Sequence, residues 1–306
     1  MALHRLTAVT IGVPNVPETQ AYYAEFGLEA YGDGCFATRD GGRQLRIVQA
    51  PTRRLIEMEL GAEDDDDIER IASNLRRIGA RPERQPRQVS AVEFVTGVRV
   101  TTAVTGRIVQ LPTPVPMPNT PGRAGRIGQR APGVLRSGRV RPRKLGHVVL
   151  GTTNLEATQR FFLDGLGFKV SDRIKDVGAF LRCSTDHHNV LILRAPVSFL
   201  HHTSWQVDDI DEVGRGASAM LQADPARHVW GLGRHHAGSN FFWYLKDPAG
   251  NFSEYYADMD SIVDDQLWTP ETLEGARGLF NWGPPPPPSF LSPEDLGALM
   301  IGAHAS

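Results

Sequence analysis

The chain has only two cysteines among its 306 residues, Cys35 and Cys183. That excludes a disulfide framework and any thiolate metal site, so polar chemistry must come from histidine, carboxylate and tyrosine. Long apolar runs are missing too; none approaches the roughly 20 residues that cross a bilayer. The opening Met-Ala-Leu-His-Arg-Leu enters a strand-like alternation at once and lacks a signal peptide's apolar region, which predicts a cytoplasmic protein. Excess charge of one sign is also absent. With Lys+Arg 33 and Asp+Glu 35, the formal net charge of -2 gives no field to attract nucleic acid or an anionic membrane. What is present, 41% hydrophobic and 22% charged residues, is the composition of a soluble globular protein.

An internal repeat organises the chain. Leu6-Thr-Ala-Val-Thr-Ile-Gly-Val-Pro-Asn15 returns as Leu145-Gly-His-Val-Val-Leu-Gly-Thr-Thr-Asn154. The register continues through Glu18-Thr-Gln-Ala-Tyr-Tyr23 and Ala157-Thr-Gln-Arg-Phe-Phe162. Each copy reads as an alternating strand, an Asn at a helix-capping position, a short helix with paired aromatics, then Gly-rich turns and further strands. The expected class is α+β, with tandem βαβββ units and mostly antiparallel sheets. Four segments follow: an N-terminal repeat domain over 1–115, a Pro/Arg-rich linker over 116–143, a second domain over 144–262 and a tail over 263–306. The linker arginines suit a solvated connection or subunit contact better than a nucleic-acid patch. Asp64 to Asp67 reads as a solvated loop before a helix over Ile68–Ile78. The tail holds Trp268, Trp282 and the run Pro284–Pro288, stiff and too apolar to be free, and is expected to pack over the second domain.

The repeat also compares one half with the other. Where the second copy has His147, the first has Ala8. Thr105-Gly-Arg-Ile-Val-Gln110 parallels Ala249-Gly-Asn-Phe-Ser-Glu254, setting Glu254 against Gln110, and His202 falls near Leu55. One half thus carries metal-binding side chains where its sister has inert ones. Two His and one carboxylate on one face of an octahedral ion leave three positions open, which suits non-haem Fe(II).

The second half resembles the type I extradiol dioxygenases of the vicinal oxygen chelate superfamily, whose fold is glyoxalase-like. The matching segments are Lys144-Leu-Gly-His147, Leu200-His-His-Thr-Ser-Trp-Gln-Val207, Gly233-Arg-His235, and Ser239-Asn-Phe-Phe-Trp-Tyr-Leu-Lys-Asp-Pro248 running to Glu254-Tyr-Tyr. The resemblance implies a non-catalytic N-terminal module and a catalytic C-terminal one. It implies that the ligand of the His-His pair is its second member, giving His147, His202 and Glu254 as the metal set for Fe(II), with Mn(II) compatible with the same ligands. It implies acid–base work for His188, ring contacts for His235 and hydrogen bonding to the ring oxygens for Tyr244, with His187 and His236 pointing away. The substrates implied are a catechol and O2, both oxygen atoms entering the ring-opened product.

The segment from Gly233 to Asp247 and the tail around Asn281-Trp-Gly-Pro are similar to homoprotocatechuate dioxygenases. Trp230 stands where those enzymes place a carboxylate-gripping Arg, and Arg277 is out of register with their tail Arg. An apolar wall in place of an anion clamp points to a neutral catechol or trihydroxylated ring, bound by Trp230, Tyr244, His235 and Trp282. Packing alone is the alternative for Trp230. The tail over Trp268–Phe290 is expected to be a lid, or else a subunit contact; a homo-oligomer, taken as a tetramer, is expected. Competing readings are a glyoxalase-like lyase or isomerase, which shares the fold, and a metal-free binding module.

Overall fold

Strand propensity, turn glycines and two kinds of helix patterning divide the chain into four successive βαβββ units. In the computed structural model, which describes residues 2–114 and 117–304, the first unit runs β1 (Leu3–Val13), α1 (Val16–Phe26), β2 (Glu29–Ala30), β3 (Cys35–Thr38) and β4 (Gly42–Gln49). The second runs β5 (Arg54–Ala62), α2 (Asp65–Arg77), β6 (Glu83–Gln85), β7 (Gln88–Val92) and β8 (Arg99–Val104). After the short α3 (Pro132–Leu135), the third runs β9 (Lys144–Thr152), α4 (Leu155–Arg160), β10 (Lys169–Ile174), β11 (Gly178–Arg182) and β12 (Val190–Arg194). The fourth runs β13 (Phe199–Gln206), α5 (Ile210–Ala223), β14 (His228–Arg234), β15 (Phe241–Lys246) and β16 (Phe252–Ala257). The boundary expected between residues 115 and 116 lies outside the described residues.

The units pair into two sheets, ordered β2-β3-β4-β1-β5-β8-β7-β6 and β14-β15-β16-β13-β9-β12-β11-β10-β17, where β17 (Thr272–Leu273) comes from the tail. In both, the first strands of successive units sit antiparallel at the centre, and each pairs in parallel with the last strand of its own unit. Central strands covered on both faces read as nearly continuous apolar runs, as β9 does.

Helix α2 begins three residues earlier than expected. The Asp64 side chain accepts from the Asp67 amide, and Asp65 to Asp67 form the first turn, so the acidic run is cap and helix rather than loop. Ile68, Ile71, Ala72 and Leu75 are its buried stripe. Asn154 caps α4 in the same way, accepting from Ala157 N at 3.1 Å, whereas Asn15 instead donates to the Pro248 carbonyl at 2.8 Å.

The two sheets share one hydrophobic core. Phe26 stacks on Tyr255 with centroids 3.8 Å apart, and Tyr22 Oη meets Ser253 Oγ at 2.5 Å. Three arginines of the connection are ion-paired: Arg136 with Asp209 through two bonds of 2.8 and 2.6 Å, Arg141 with Glu29, and Arg143 with Asp40 and Asp208. These three arginines tie the connection to both halves of the chain. Among the described residues no helix is long and apolar enough to cross a membrane.

One sequence parallel needs correcting. Strand β8 ends at Val104, so 105–110 lie beyond the sheet and Gln110 is not the counterpart of Glu254. In the second sheet Ser204 pairs with His147 on one side and Glu254 on the other; in the first, Glu59 pairs with Ala8 and Thr101. The counterpart of Glu254 is therefore Thr101, and that of His202 is Glu57. A connection of different length between strands had shifted the register.

The tail packs on the second sheet through β17, α6 (Pro288–Leu291) and α7 (Leu296–His304). Gly283 has φ 136°, and a Cβ there would lie 2.8 Å from the Gly233 Cα, so the tail lies this close to β14 only because both residues are glycine.

Candidate metal centre

His147, His202 and Glu254 come from three adjacent strands, β9, β13 and β16. Ser204 is the ladder partner of both His147 and Glu254, and His202 lies two residues from Ser204 on the same face. This places the three side chains over one point of the sheet, all buried. His147 Nε2 is 3.0 Å from Glu254 Oε2, His202 Nε2 is 3.5 Å from the same oxygen, and the two nitrogens are 3.4 Å apart. Donor atoms at neighbouring corners of an octahedral ion with bonds of about 2.1 Å lie about 3.0 Å apart, and opposite corners about 4.2 Å. All three separations match neighbouring corners, so the donors share one face. Glu254 Oε2 is buried and accepts no hydrogen bond, a costly state for a carboxylate oxygen unless a cation meets it. Its other oxygen receives Asn240 Nδ2 at 3.3 Å, which orients the group. The residues fit a divalent ion bound by nitrogen and oxygen.

A cavity of about 570 Å³ opens beside the cluster. His147, His188, His202, His235, Tyr244 and Trp230 all line it, against apolar walls from Val149, Phe180, Leu191, Leu273, Leu279 and Phe290. His188 is buried, with its ring centroid 4.2 Å from that of His147. His235 Nε2 and Tyr244 Oη are 2.9 Å apart; the other ring nitrogen of His235 donates to the Leu279 carbonyl, so Nε2 accepts from the phenol. Trp230 stacks parallel to Tyr244 and donates to the Pro284 carbonyl at 2.6 Å.

Two expectations are altered. Trp282 does not line the cavity: it is 44% exposed, packs on Phe241, and its backbone bridges to Arg234 because β14 holds it on the outer side of the tail. His236 points outward to Arg277 and Glu271 as expected, but His187 is fully buried. His187 Nε2 lies 2.9 Å from Asp172 Oδ2 and its Nδ1 lies 3.0 Å from His188 Nδ1. Sequence reasoning missed Asp172, which reads as an ordinary strand acid until β10 folds beside the His pair.

Burial favours the neutral form of four of the site's imidazoles. His188 and His202 lie well below the usual histidine range, through desolvation and the surrounding imidazoles; desolvation takes His201 down to about 4 and lowers His235 as well. Tyr244 is raised by burial and by the Glu254 charge. The stability consequence has a definite sign. A histidine whose folded pKa is depressed contributes fully above its unfolded value near 6.5 and loses that contribution as pH falls towards about 4. For His201 alone the loss is on the order of 3 kcal/mol. Urea titrations of the metal-free protein should show the midpoint falling steeply between pH 6.5 and 4; a flat midpoint across that window would exclude buried neutral histidines.

The sequence profile of the Glyoxalase/Bleomycin resistance protein/Dioxygenase superfamily matches residues 144–255. The chain is 32% identical to Metapyrocatechase 2 of Cupriavidus necator over 303 residues, covering 95% of this chain and 92% of that protein. It is 33% identical to an iron-dependent extradiol dioxygenase of Rhodococcus jostii (strain RHA1) over 139 residues, 40% of this chain and 46% of that one. Among solved structures, a Mn(II)-bound glyoxalase from Novosphingobium aromaticivorans superposes with a TM-score of 0.71 at 25% identity, covering 94% of this chain and 95% of that one. With three donor atoms spaced to share one face of an octahedral ion beside an aromatic-lined cavity, and a relative matched over nearly its whole length, the chain belongs to the Glyoxalase/Bleomycin resistance protein/Dioxygenase superfamily and, within it, to the extradiol dioxygenases.

Proposed function

We propose that this extradiol dioxygenase opens the ring of a neutral catechol bearing a bulky apolar substituent, with His147, His202 and Glu254 as metal ligands and His188 as the acid–base group. The carrying observation is the three-donor cluster opening onto one apolar cavity. The bound ion, Fe(II) or Mn(II), supplies a point of chelation for the diol and lowers the pKa of its oxygens. The chain's own residues do the rest. Asp172 Oδ2 accepts from His187 Nε2–H, and with the one N–H of a neutral imidazole placed there, His187 Nδ1 is bare to accept from His188 Nδ1–H. His188 then presents a bare Nε2 that takes a proton from the diol and later returns it during ring opening. Tyr244 and His235 form one hydrogen-bonded pair on the other side, placed to hold a ring oxygen.

The walls supply the substrate preference. The cations lining the cavity are Lys175, ion-paired with Glu274 at 2.8 Å, and Arg194, paired with Glu156 at 3.1 Å. Each is a solvent-exposed cation already matched by an acid, not a buried clamp like the Arg that Trp230 replaces. A bare catechol, with about eight non-hydrogen atoms, leaves most of such a cavity empty, whereas an aryl or long alkyl substituent fills it. Leu273, Leu279, Phe290 and Leu291 bring the tail into the wall, in keeping with a covering role that excludes water. The exposed Val134 and Leu135 of α3 offer an apolar contact for the expected tetramer, which sedimentation would read.

The Fe(II)-loaded enzyme, prepared anaerobically, should be tested with a panel of catechols by oxygen uptake. The expected kcat/KM for 2,3-dihydroxybiphenyl exceeds that for homoprotocatechuate by at least about 10–100-fold, the range that one misplaced charge or methylene set commands. Equal or better use of the aromatic acid would refute the apolar-wall reading.

A further inference from the structure

We propose that the backbone carbonyl of Phe290, in the tail, fixes the tautomer of His202 through His201 and so makes the tail part of the metal-holding apparatus. The inference rests on the reading of His202 as a ligand. His201 Nε2 lies 2.7 Å from the Phe290 oxygen, and His201 Nδ1 lies 2.8 Å from His202 Nδ1. A carbonyl can only accept, so the ring hydrogen of His201 is on Nε2. In the neutral imidazole this is the ring's one N–H. Its Nδ1 is a bare acceptor, and the donor facing it is His202 Nδ1–H. With its hydrogen on Nδ1, the neutral His202 ring carries none on Nε2, the atom that faces Glu254 Oε2 at 3.5 Å and His147 Nε2 at 3.4 Å. A metal needs that lone pair bare. Without the tail carbonyl, His201 could hold its hydrogen on Nδ1, and His202 would be driven to the tautomer that blocks its own ligand atom.

The carbonyl is held firmly. The Phe290 ring lies against His201, Tyr244 and Phe252, with centroids 4.8, 4.7 and 5.8 Å away. Five residues on, Asp295 takes two bonds of 2.6 and 2.8 Å from Arg53. Arg53 also donates to the Leu200 carbonyl at 2.8 Å, next to His201. One arginine from the N-terminal half thus pins both the tail and the strand carrying the His pair.

The test is Fe(II) affinity of full-length, metal-free protein, titrated anaerobically against a chromogenic chelator without substrate. His201→Phe fills the space without polar atoms and should weaken Fe(II) binding about 10–100-fold, the usual effect of losing a partner behind a ligand. His201→Asn, whose amide oxygen accepts from His202 Nδ1 without help from the tail, should stay within a few-fold of wild type. Phe290→Ala frees the carbonyl and should weaken binding in the wild-type background but not in His201→Asn. Equal loss in both backgrounds, or wild-type affinity in His201→Phe, overturns the proposal. Nitrogen NMR of histidine-labelled wild type, metal-free, reads the tautomers directly and needs no variant to fold: N–H on His201 Nε2 and His202 Nδ1 supports it, and either reverse tautomer overturns it. His202→Ala separates the two levels. Intact Fe(II) affinity there removes the ligand reading and the relay with it; lost affinity there beside wild-type affinity in His201→Phe removes the relay alone.

Discussion

His147→Ala, His202→Ala and Glu254→Ala are each expected to lose Fe(II) and turnover together, by far more than the ~10–100-fold that partners behind a ligand command. The three donor atoms lie 3.0, 3.5 and 3.4 Å apart, the spacing that neighbouring corners of an octahedral ion would have, so removing one would leave two donors and a gap facing the cavity. Glu254→Gln is the sharpest member of the set. It keeps the volume and the Asn240 contact but replaces the buried, unpartnered carboxylate oxygen with a neutral group. Iron content measured beside circular dichroism separates ligand loss from unfolding. A Glu254→Gln protein that is folded, fully loaded and fully active would show that the carboxylate is not a ligand.

His188→Phe is expected to leave Fe(II) affinity within a few-fold of wild type and to slow turnover by ~10²–10⁴-fold, the usual contribution of a positioned proton donor and acceptor. A phenyl ring suits the site, because His188 already packs edge-on to Phe180 at 5.0 Å between centroids. Asp172→Asn should slow turnover less, since it loosens the tautomer of His187 while leaving His188 in place. Loss of iron with the activity of His188→Phe would move His188 into the ligand set. Unchanged turnover would remove it from the chemistry.

The central strands and the three donors were legible because their signals are local or repeated. The repeated strand segments marked β1 and β9, the paired aromatics marked α1 and the helical turn that continues α4, and His147 stood out against Ala8 in the sister copy. What escaped the sequence depended on contacts between distant segments. The counterparts of His202 and Glu254, Glu57 and Thr101, emerged only from ladder pairing, since connections of unequal length hide the register. Asp172 carries no motif, and His201 stood out only as the other member of the His-His pair. Their roles come from β10 and the tail reaching the His pairs, more than ten residues away for Asp172 and nearly ninety for Phe290. Trp282 failed as a wall residue for a related reason: its neighbour Gly283 sets the direction of the chain, and that direction points Trp282 outward.

The most direct test of the account is turnover of 2,3-dihydroxybiphenyl under 18O2 by the Fe(II)-loaded enzyme, with oxygen uptake recorded alongside product mass. One O2 consumed per ring opened, with both labelled atoms in the ring-opened product, is the predicted result. Product formed by a metal-loaded enzyme without oxygen uptake, or any product with the ring intact, would contradict it and favour an isomerase or lyase on the same fold.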